Sequence, residues 1–175
     1  MLPKAKTTNR AGFTLIELLL VLAIITVLAA VQLPRLNALL AKSALRSEAK
    51  TLERTMLTAR TKAVMERREV RLYFDEGPAK YWVEEQGDPV NAPDAYLRPT
   101  GGPLGRPVRL TTGIEFGRQT AGSRVRFLPD GQVDGEKVRL LDKKGRFAEL
   151  AFEGVTDKVR VTYGKIEQGA WGSAD

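Results

Sequence analysis

The 175-residue chain is long enough for one globular domain with attachments, and it contains neither cysteine nor histidine. These absences exclude disulfides, thiol nucleophiles, histidine-dependent catalytic triads and nearly every zinc site, so we expect no cofactor, no metal and no enzymatic activity. Three basic residues in the acid-free segment 1–12 supply +3 of the formal net charge of +7, and the remaining +4 is too small to favour nucleic acid as a partner.

An apolar run extends from residue 13 to residue 33 and holds a single ionisable side chain, Glu17. At 1.5 Å per residue, a helix over these positions is about 30 Å long, which matches the hydrocarbon core of a bilayer. Its Leu, Ile, Val and Phe residues each contribute about −0.3 to −0.6 kcal/mol to insertion, and together they outweigh a cost of up to about 3 kcal/mol for one carboxylate. We therefore predict a single transmembrane helix over 13–33. A cleaved secretory signal is the alternative, but its apolar core is usually shorter.

The start of this run carries the string GFTLIEL at residues 12–18, directly behind a short basic leader. The string resembles the class III signal of type IV pilins and of the pseudopilins of type II secretion. The resemblance implies that a membrane-embedded prepilin peptidase removes residues 1–12 by cutting after Gly12, and that it methylates the new N-terminal residue, Phe13. Glu17 matches the acidic residue at the fifth mature position of that family.

Glu17 is also a candidate site residue on physical grounds, because a carboxylate inside a membrane helix is costly and normally has a partner. Cleavage after Gly12 would create one, the α-amine of Phe13, in the same chain or in a neighbouring subunit. Pairing with a neighbour would set the register between subunits. The alternative is that the carboxylate reaches the membrane interface without a specific partner.

A helical pattern continues beyond the apolar run, and we predict one helix over residues 13–67. Pro34 removes one helical hydrogen bond and is predicted to bend the helix at that point. Such a helix also carries apolar residues at spacings of three and four, which places them on one face: Leu45, Ala49, Leu52, Met56, Ala59 and Ala63. This stripe favours packing against the chain's own domain, with a homo-oligomeric coiled coil as the alternative.

From residue 68 the apolar period changes from helical to two, which predicts a β-rich domain over 68–175. About seven short antiparallel strands are expected, near residues 70–74, 80–85, 108–112, 124–127, 137–142, 146–152 and 159–163. Turn sequences at 128–131 and 142–145 agree with this division. The predicted fold class is α+β, a long N-terminal helix packed on an antiparallel β-sheet or β-sandwich domain, as in pilins.

Residues 86–107 are predicted to form a Pro/Gly-rich loop, since they hold five of the nine prolines and four glycines without any period. A loop of this length is usually functional or mobile. Val90, Tyr96 and Leu97 are apolar residues in it that could dock on a partner. A merely tolerated insertion is an equal alternative.

Two further patterns suggest a ligand. Residues 130–135 place two carboxylates around a glycine turn, but they lack the spaced oxygen ligands and final glutamate of a calcium loop, so a plain turn is favoured. Alternating arginines are compatible with a basic, DNA-binding sheet face, although a solvated strand surface is favoured. These arginines are Arg124, Arg126, Arg139 and Arg160.

The order of elements in the whole chain provides a second resemblance. A long N-terminal helix, a strand near residue 70, the string FLPDG at 127–131 and a last strand at 159–163 are together similar to the H-type minor pseudopilins of type II secretion. The resemblance implies a structural subunit of the periplasmic pseudopilus. A minor type IV pilin that primes pilus assembly or DNA uptake is one alternative, and a membrane-anchored periplasmic binding module is another.

The same resemblance implies where the protein resides and what it contacts. It places the chain in the inner membrane as a single-pass protein with a periplasmic C-terminal domain, which is then assembled into a periplasmic filament. Basic residues flank the apolar run on both sides, so charge alone does not decide this orientation. The implied partners are other major and minor pseudopilins, the prepilin peptidase, the inner-membrane assembly platform, membrane lipid and secreted cargo.

Overall fold

The computed structural model describes residues 14–77, 79–135, 137–153 and 158–166, without the side chains of residues 30–41. A long helix, α1, covers Leu15–Glu66, compared with the predicted 13–67. The chain divides into two compact units, Met1–Leu40 and Ala41–Asp175. The first part of α1 therefore belongs to one unit, and its last part belongs to the other.

Two antiparallel sheets follow α1 in the described part of the second unit. The first has six strands, namely β1 (Val70–Phe74), β2 (Lys80–Asp88), β3 (Ala92–Leu97), β4 (Val108–Arg109), β6 (Arg124–Phe127) and β7 (Val133–Asp134). The second has four, namely β5 (Ile114–Phe116), β8 (Val138–Asp142), β9 (Arg146–Phe152) and β10 (Val159–Lys165). Their strand orders are β3-β2-β1-β6-β7, with β4 also on β2, and β10-β9-β8-β5.

The core lies between the last part of α1 and both sheets, because every residue of the predicted helix stripe is buried there. The stripe shares one cluster with inward-facing residues of β1, β2, β6, β8 and β9. Three polar contacts hold α1 in place. Arg60 Nε donates to the carbonyl of Gly131 at 2.9 Å, Lys62 pairs with Glu85 at 2.9 Å, and the amide of Thr111 donates to Glu48 at 3.1 Å. The stripe therefore packs within the chain, as the periodicity favours.

The end of α1 is formed without the glycine that usually occupies such a position. Arg67, just past the last helical residue, has a φ of 51°, which lies in the left-handed region. The amide of Arg68 then donates to the carbonyl of Ala63 at 3.2 Å, the long-range bond of a Schellman-type end. This turn directs the chain from α1 into β1.

The first half of the predicted loop 86–107 differs from the expectation, because β2 continues to Asp88 and β3 returns antiparallel to it. Asp88 Oδ1 accepts the amides of Val90 and Asn91 at 2.9 and 3.0 Å, which closes the hairpin. A register shift between Gln86 and Asp88 breaks the alternation that marks a strand. The edge position of β3 explains how the strand tolerates Pro93.

The predicted turn at 142–145 connects β8 to β9, and Asp142 organises it. Its side chain is 3% exposed. Its carboxylate accepts the amides of Lys144 and Arg146, each at 2.9 Å, and the Nε of Arg146 at 2.6 Å. Burial alone would raise the pKa of Asp142, but the hydrogen bonds from Arg146 and Lys144 outweigh it and hold that pKa below the ordinary value.

We expect Asp142→Asn to lower the free energy of unfolding at pH 7 by roughly 1–3 kcal/mol, because the amide keeps an acceptor for the turn but loses the ion pair with Arg146. The folded-state pKa of Asp142 is depressed, so its stabilisation is complete above the unfolded pKa of about 4 and disappears as the pH falls through the folded value. Urea unfolding of residues 35–175 at pH 7 and at about pH 3 measures this. An equal difference between parent and variant at both pH values would contradict it.

Candidate functional site

The start of α1 is built by two residues of the predicted signal. The amide of Glu17 donates to the Oγ1 of Thr14 at 3.3 Å, and the amides of Glu17 and Leu18 donate to the Thr14 carbonyl at 3.1 and 3.2 Å. Thr14 is therefore the N-cap, and Glu17 holds the third helical position of a Thr-x-x-Glu capping sequence. The carboxylate of Glu17 also lies in the first turn, where the helix dipole favours negative charge.

The role of Thr14 as a cap was not part of the sequence prediction, although its signal is visible at residues 14–17. The string was interpreted there through its resemblance to a leader signal and through the cost of a charge in lipid. The structure shows the helix start, with Glu17 in its first turn. The two roles can be separated by experiment, because the amide that Thr14 binds remains whatever the side chain of Glu17 is.

The remaining predicted site residues lie partly outside the described chain. Gly12 and Phe13 precede the first described residue, so the cleavage and methylation site stays a prediction. Pro34 lies within α1, and the bend predicted there also stays a prediction. Within the part of the chain that the structure describes, no helix has the length and apolarity needed to cross a membrane.

The first part of α1 presents a continuous apolar surface. All eleven of its large hydrophobic side chains up to Leu28 are exposed, from 48% for Val21 to 80% for Leu15. They occur around the whole circumference of the helix, so every face of this segment exposes apolar side chains. Apolar surface of this extent is uncommon on a soluble monomer and marks contact with lipid or with other proteins.

The two carboxylates of the suspected calcium turn are engaged with their own chain. Asp130 Oδ1 accepts the amide of Gln132 at 2.9 Å, which closes the turn after β6. Asp134 on β7 is ion-paired with Arg126 on the neighbouring strand. Throughout the described ranges, no group of three or more His, Cys, Asp or Glu residues could hold a metal ion. A plain turn accounts for the pattern.

The four alternating arginines do not form one basic face. Arg124 and Arg126 lie in the six-stranded sheet, whereas Arg139 and Arg160 lie in the four-stranded sheet. Three of them are also ion-paired, Arg126 with Asp134, Arg139 with Glu149 and Arg160 with Glu153. The hydrogen bond from Arg139, together with one from Lys137, holds the pKa of Glu149 below its ordinary value despite burial.

Open grooves indent the described part of the second unit, two of them beside loop segments. One has a volume of about 570 Å³ and separates the last turns of α1 from the segment 99–104, with Leu57, Met65 and Leu104 in its wall. The other has a volume of about 490 Å³ and lies beside the β1–β2 connection, against Leu110, Ile114 and Phe116.

An exposed apolar helical segment, and a helix stripe packed on antiparallel sheets, are together the features of pilin-like filament subunits. Comparison with known proteins agrees. The prokaryotic N-terminal methylation motif matches residues 7–31, and the family of the type II transport protein GspH matches residues 48–161. The chain belongs to the GspH family of type II secretion, whose members are minor pseudopilins. No curated protein matches the chain significantly.

A solved structure supports the fold. The chain is similar to the minor pseudopilin EpsH from the type 2 secretion system of Vibrio cholerae, with a TM-score of 0.55 and 10% sequence identity. The similarity covers 67% of this chain and 95% of that one. The predicted α+β, pilin-like fold class and the resemblance to H-type minor pseudopilins are therefore confirmed. The function of a minor pseudopilin follows from the family.

Proposed function

We propose that the chain is a non-catalytic structural subunit that is cleaved after Gly12, methylated at Phe13, held in the inner membrane by residues 13–33 and then transferred into a periplasmic pseudopilus. The observation that carries this proposal is the uncovered apolar surface of the first part of α1. Lipid covers such a surface before assembly, and helices of neighbouring subunits cover it afterwards.

The energy available from this surface is large. Burial of one Leu, Ile or Val side chain contributes about 1.5–3 kcal/mol relative to exposure in water, so eleven such residues exclude a stable state in which the segment is surrounded by water. Transfer of the segment from lipid to a protein filament releases much less free energy, because lipid tails are as apolar as leucine. Assembly therefore needs a further, directional interaction, and Glu17 with the Phe13 amine is the pair we assign to it.

Each of the two units has its own proposed partners. The apolar segment contacts membrane lipid, the prepilin peptidase, the assembly platform and the corresponding helices of other major and minor pseudopilins. The sheets of the second unit, packed on their own part of α1, present outward surfaces to adjacent subunits or to secreted cargo. Because the helix stripe is buried internally, it is not available for a coiled coil between subunits.

We expect the mature protein to begin at Phe13 and to carry one N-terminal methyl group, because the GFTLIEL string places a cleavage site after Gly12. Mass analysis of the protein extracted from membranes measures both features. Gly12→Leu should leave the leader uncleaved, since a large side chain replaces the residue before the cut. Ala5→Ser is the matched control within the leader and should be processed normally. A mass that includes Met1, or a start near residue 31, would contradict the proposal.

A further inference from the structure

The six-stranded sheet has a second face, turned away from the core, and it is one of the outward surfaces that the proposed function leaves open to a partner. Alternate residues of β1 and β2, such as Leu72 and Val83, point into the core and are buried. The residues between them form the outer face, and cations and aromatic rings are prominent on it. We define this outer face as Arg71, Tyr73, Lys80, Trp82, Glu84, Tyr96, Arg98, Arg109, Arg124 and Arg126.

The aromatic residues of the outer face are stacked and enclosed by cations. Tyr73 and Trp82 are paired across β1 and β2, with ring centroids 5.6 Å apart and planes at 12°. The guanidinium of Arg98, just after β3, lies 5.8 Å from the centroid of Trp82. Because β1 and β3 flank β2 on opposite sides, Tyr73 and Arg98 approach Trp82 from opposite sides. A second guanidinium, that of Arg71, covers Tyr96 at 3.5 Å.

Four of the carboxylates around the outer face are engaged with neighbouring side chains, while a fifth, Asp94 on β3, acts electrostatically on Tyr96. Three of them pair with cations, since Glu69 binds Arg71 at 2.8 Å, Asp75 binds Lys80 at 3.1 Å and Asp134 binds Arg126. The fourth, Glu84, accepts the indole N–H of Trp82 at 2.9 Å. Within the described chain, three arginines of the outer face are left without an ion pair: Arg98, Arg109 and Arg124. The face therefore has an excess of positive charge.

This arrangement discriminates between classes of anion. A nucleic-acid base or a sugar ring binds an aromatic residue by stacking on an open ring face. Here one face of Trp82 is stacked on Tyr73, the cationic groups of Arg98 and Lys80 lie 5.8 and 5.9 Å from its ring centroid, and Tyr96 is covered by Arg71. A carboxylate needs only the edges of the guanidinium groups, which remain accessible when the flat faces of these groups lie on rings.

We infer that the outer face binds an acidic segment of a partner protein, whose carboxylates engage Arg98 and Arg124 on either side of the Tyr73–Trp82 stack. The stack restricts the side chain of Arg98, so less conformational entropy is lost when a carboxylate binds. Tyrosine, tryptophan and arginine are also the residue types that dominate the energetics of protein interfaces. This inference rests on the proposed function and deepens it, because it names the chemistry of the partner that one outward sheet surface binds.

The test uses the full mature chain in detergent and fluorescently labelled poly-L-glutamate as the acidic probe. We expect the parent protein to bind the probe and the double variant Arg98→Glu/Arg124→Glu to bind it at least about tenfold more weakly, because two attractive contacts become repulsive. Lys143→Glu/Lys144→Glu changes the net charge by the same amount on the exposed β8–β9 turn. The affinity of this control variant for the probe should be within about twofold of the parent's when both are measured at physiological salt.

A further variant tests whether the Tyr73–Trp82 stack contributes to binding in addition to the charge of the outer face. Trp82→Leu should weaken binding several-fold by freeing Arg98, while its thermal unfolding curve shows that the fold is kept. Equal loss in the Lys143/Lys144 variant would overturn the inference, because binding would then follow net charge only. Tighter binding of a single-stranded oligothymidylate that is lost in Trp82→Leu would overturn it in favour of a stacking ligand. Leader cleavage and assembly are unaffected by either outcome, so the proposed function is tested separately.

Discussion

The substitution Met56→Asp in residues 35–175 is expected to lower the free energy of unfolding by roughly 3–5 kcal/mol, because it removes buried apolar volume and buries an unpaired charge. Met56 is 1% exposed and lies in the middle of the helix stripe, next to Val125 and Phe152. The parent protein of this length should itself be soluble and folded, since the unit Ala41–Asp175 contains the whole core cluster. Urea unfolding followed by circular dichroism measures the difference.

Met65→Asp is the matched control for this experiment. It makes the same substitution on the same helix at a residue that is 78% exposed. We expect the free energy of unfolding to change by no more than about 1 kcal/mol. A Met56→Asp variant that unfolds like the parent would show that the stripe packs against a partner and not against its own sheets. Equal destabilisation by both substitutions would point instead to a general effect of aspartate on the helix.

Glu17→Leu is expected to leave membrane insertion and leader cleavage intact while abolishing assembly. Insertion should stay the same or improve, because the substitution removes a cost of up to about 3 kcal/mol. Assembly should be lost because the Phe13 amine of the neighbouring subunit no longer finds a carboxylate. Membrane fractionation, mass analysis of the N-terminus and crosslinking to the other pseudopilins measure the three steps in the same cells.

Glu17→Gln separates the charge of this residue from its position in the helix cap. The amide side chain can still take part in a capping sequence with Thr14, and the backbone bond from residue 17 to Thr14 is unchanged. We expect this variant to fail in assembly as Glu17→Leu does. Recovery of crosslinks in Glu17→Gln would assign Glu17 to the start of α1. Unchanged crosslinking and secretion in both variants would favour a membrane-anchored binding module.

The features that could be predicted from the sequence are those that depend on neighbours along the chain. The helix stripe is one, because spacings of three and four place residues on one face whatever the rest of the fold does. The strands at 70–74 and 124–127 are others, since alternation of apolar and polar residues and adjacent turn residues define them locally. The leader signal is local as well, and the N-terminal methylation motif matches the same region.

The tertiary structure alone decided the features that depend on residues distant in the chain. The β2–β3 hairpin was hidden by a register shift at Gln86, which interrupts the local alternation while the pairing between strands continues. Arg126 and Arg139 look equivalent in the sequence, but they belong to different sheets and each has its own carboxylate. The contact of Arg98 with Trp82 likewise follows from strand order. Pairing between strands selects such neighbours through hydrogen bonds and packing over long sequence separations, for which a local pattern carries no signal.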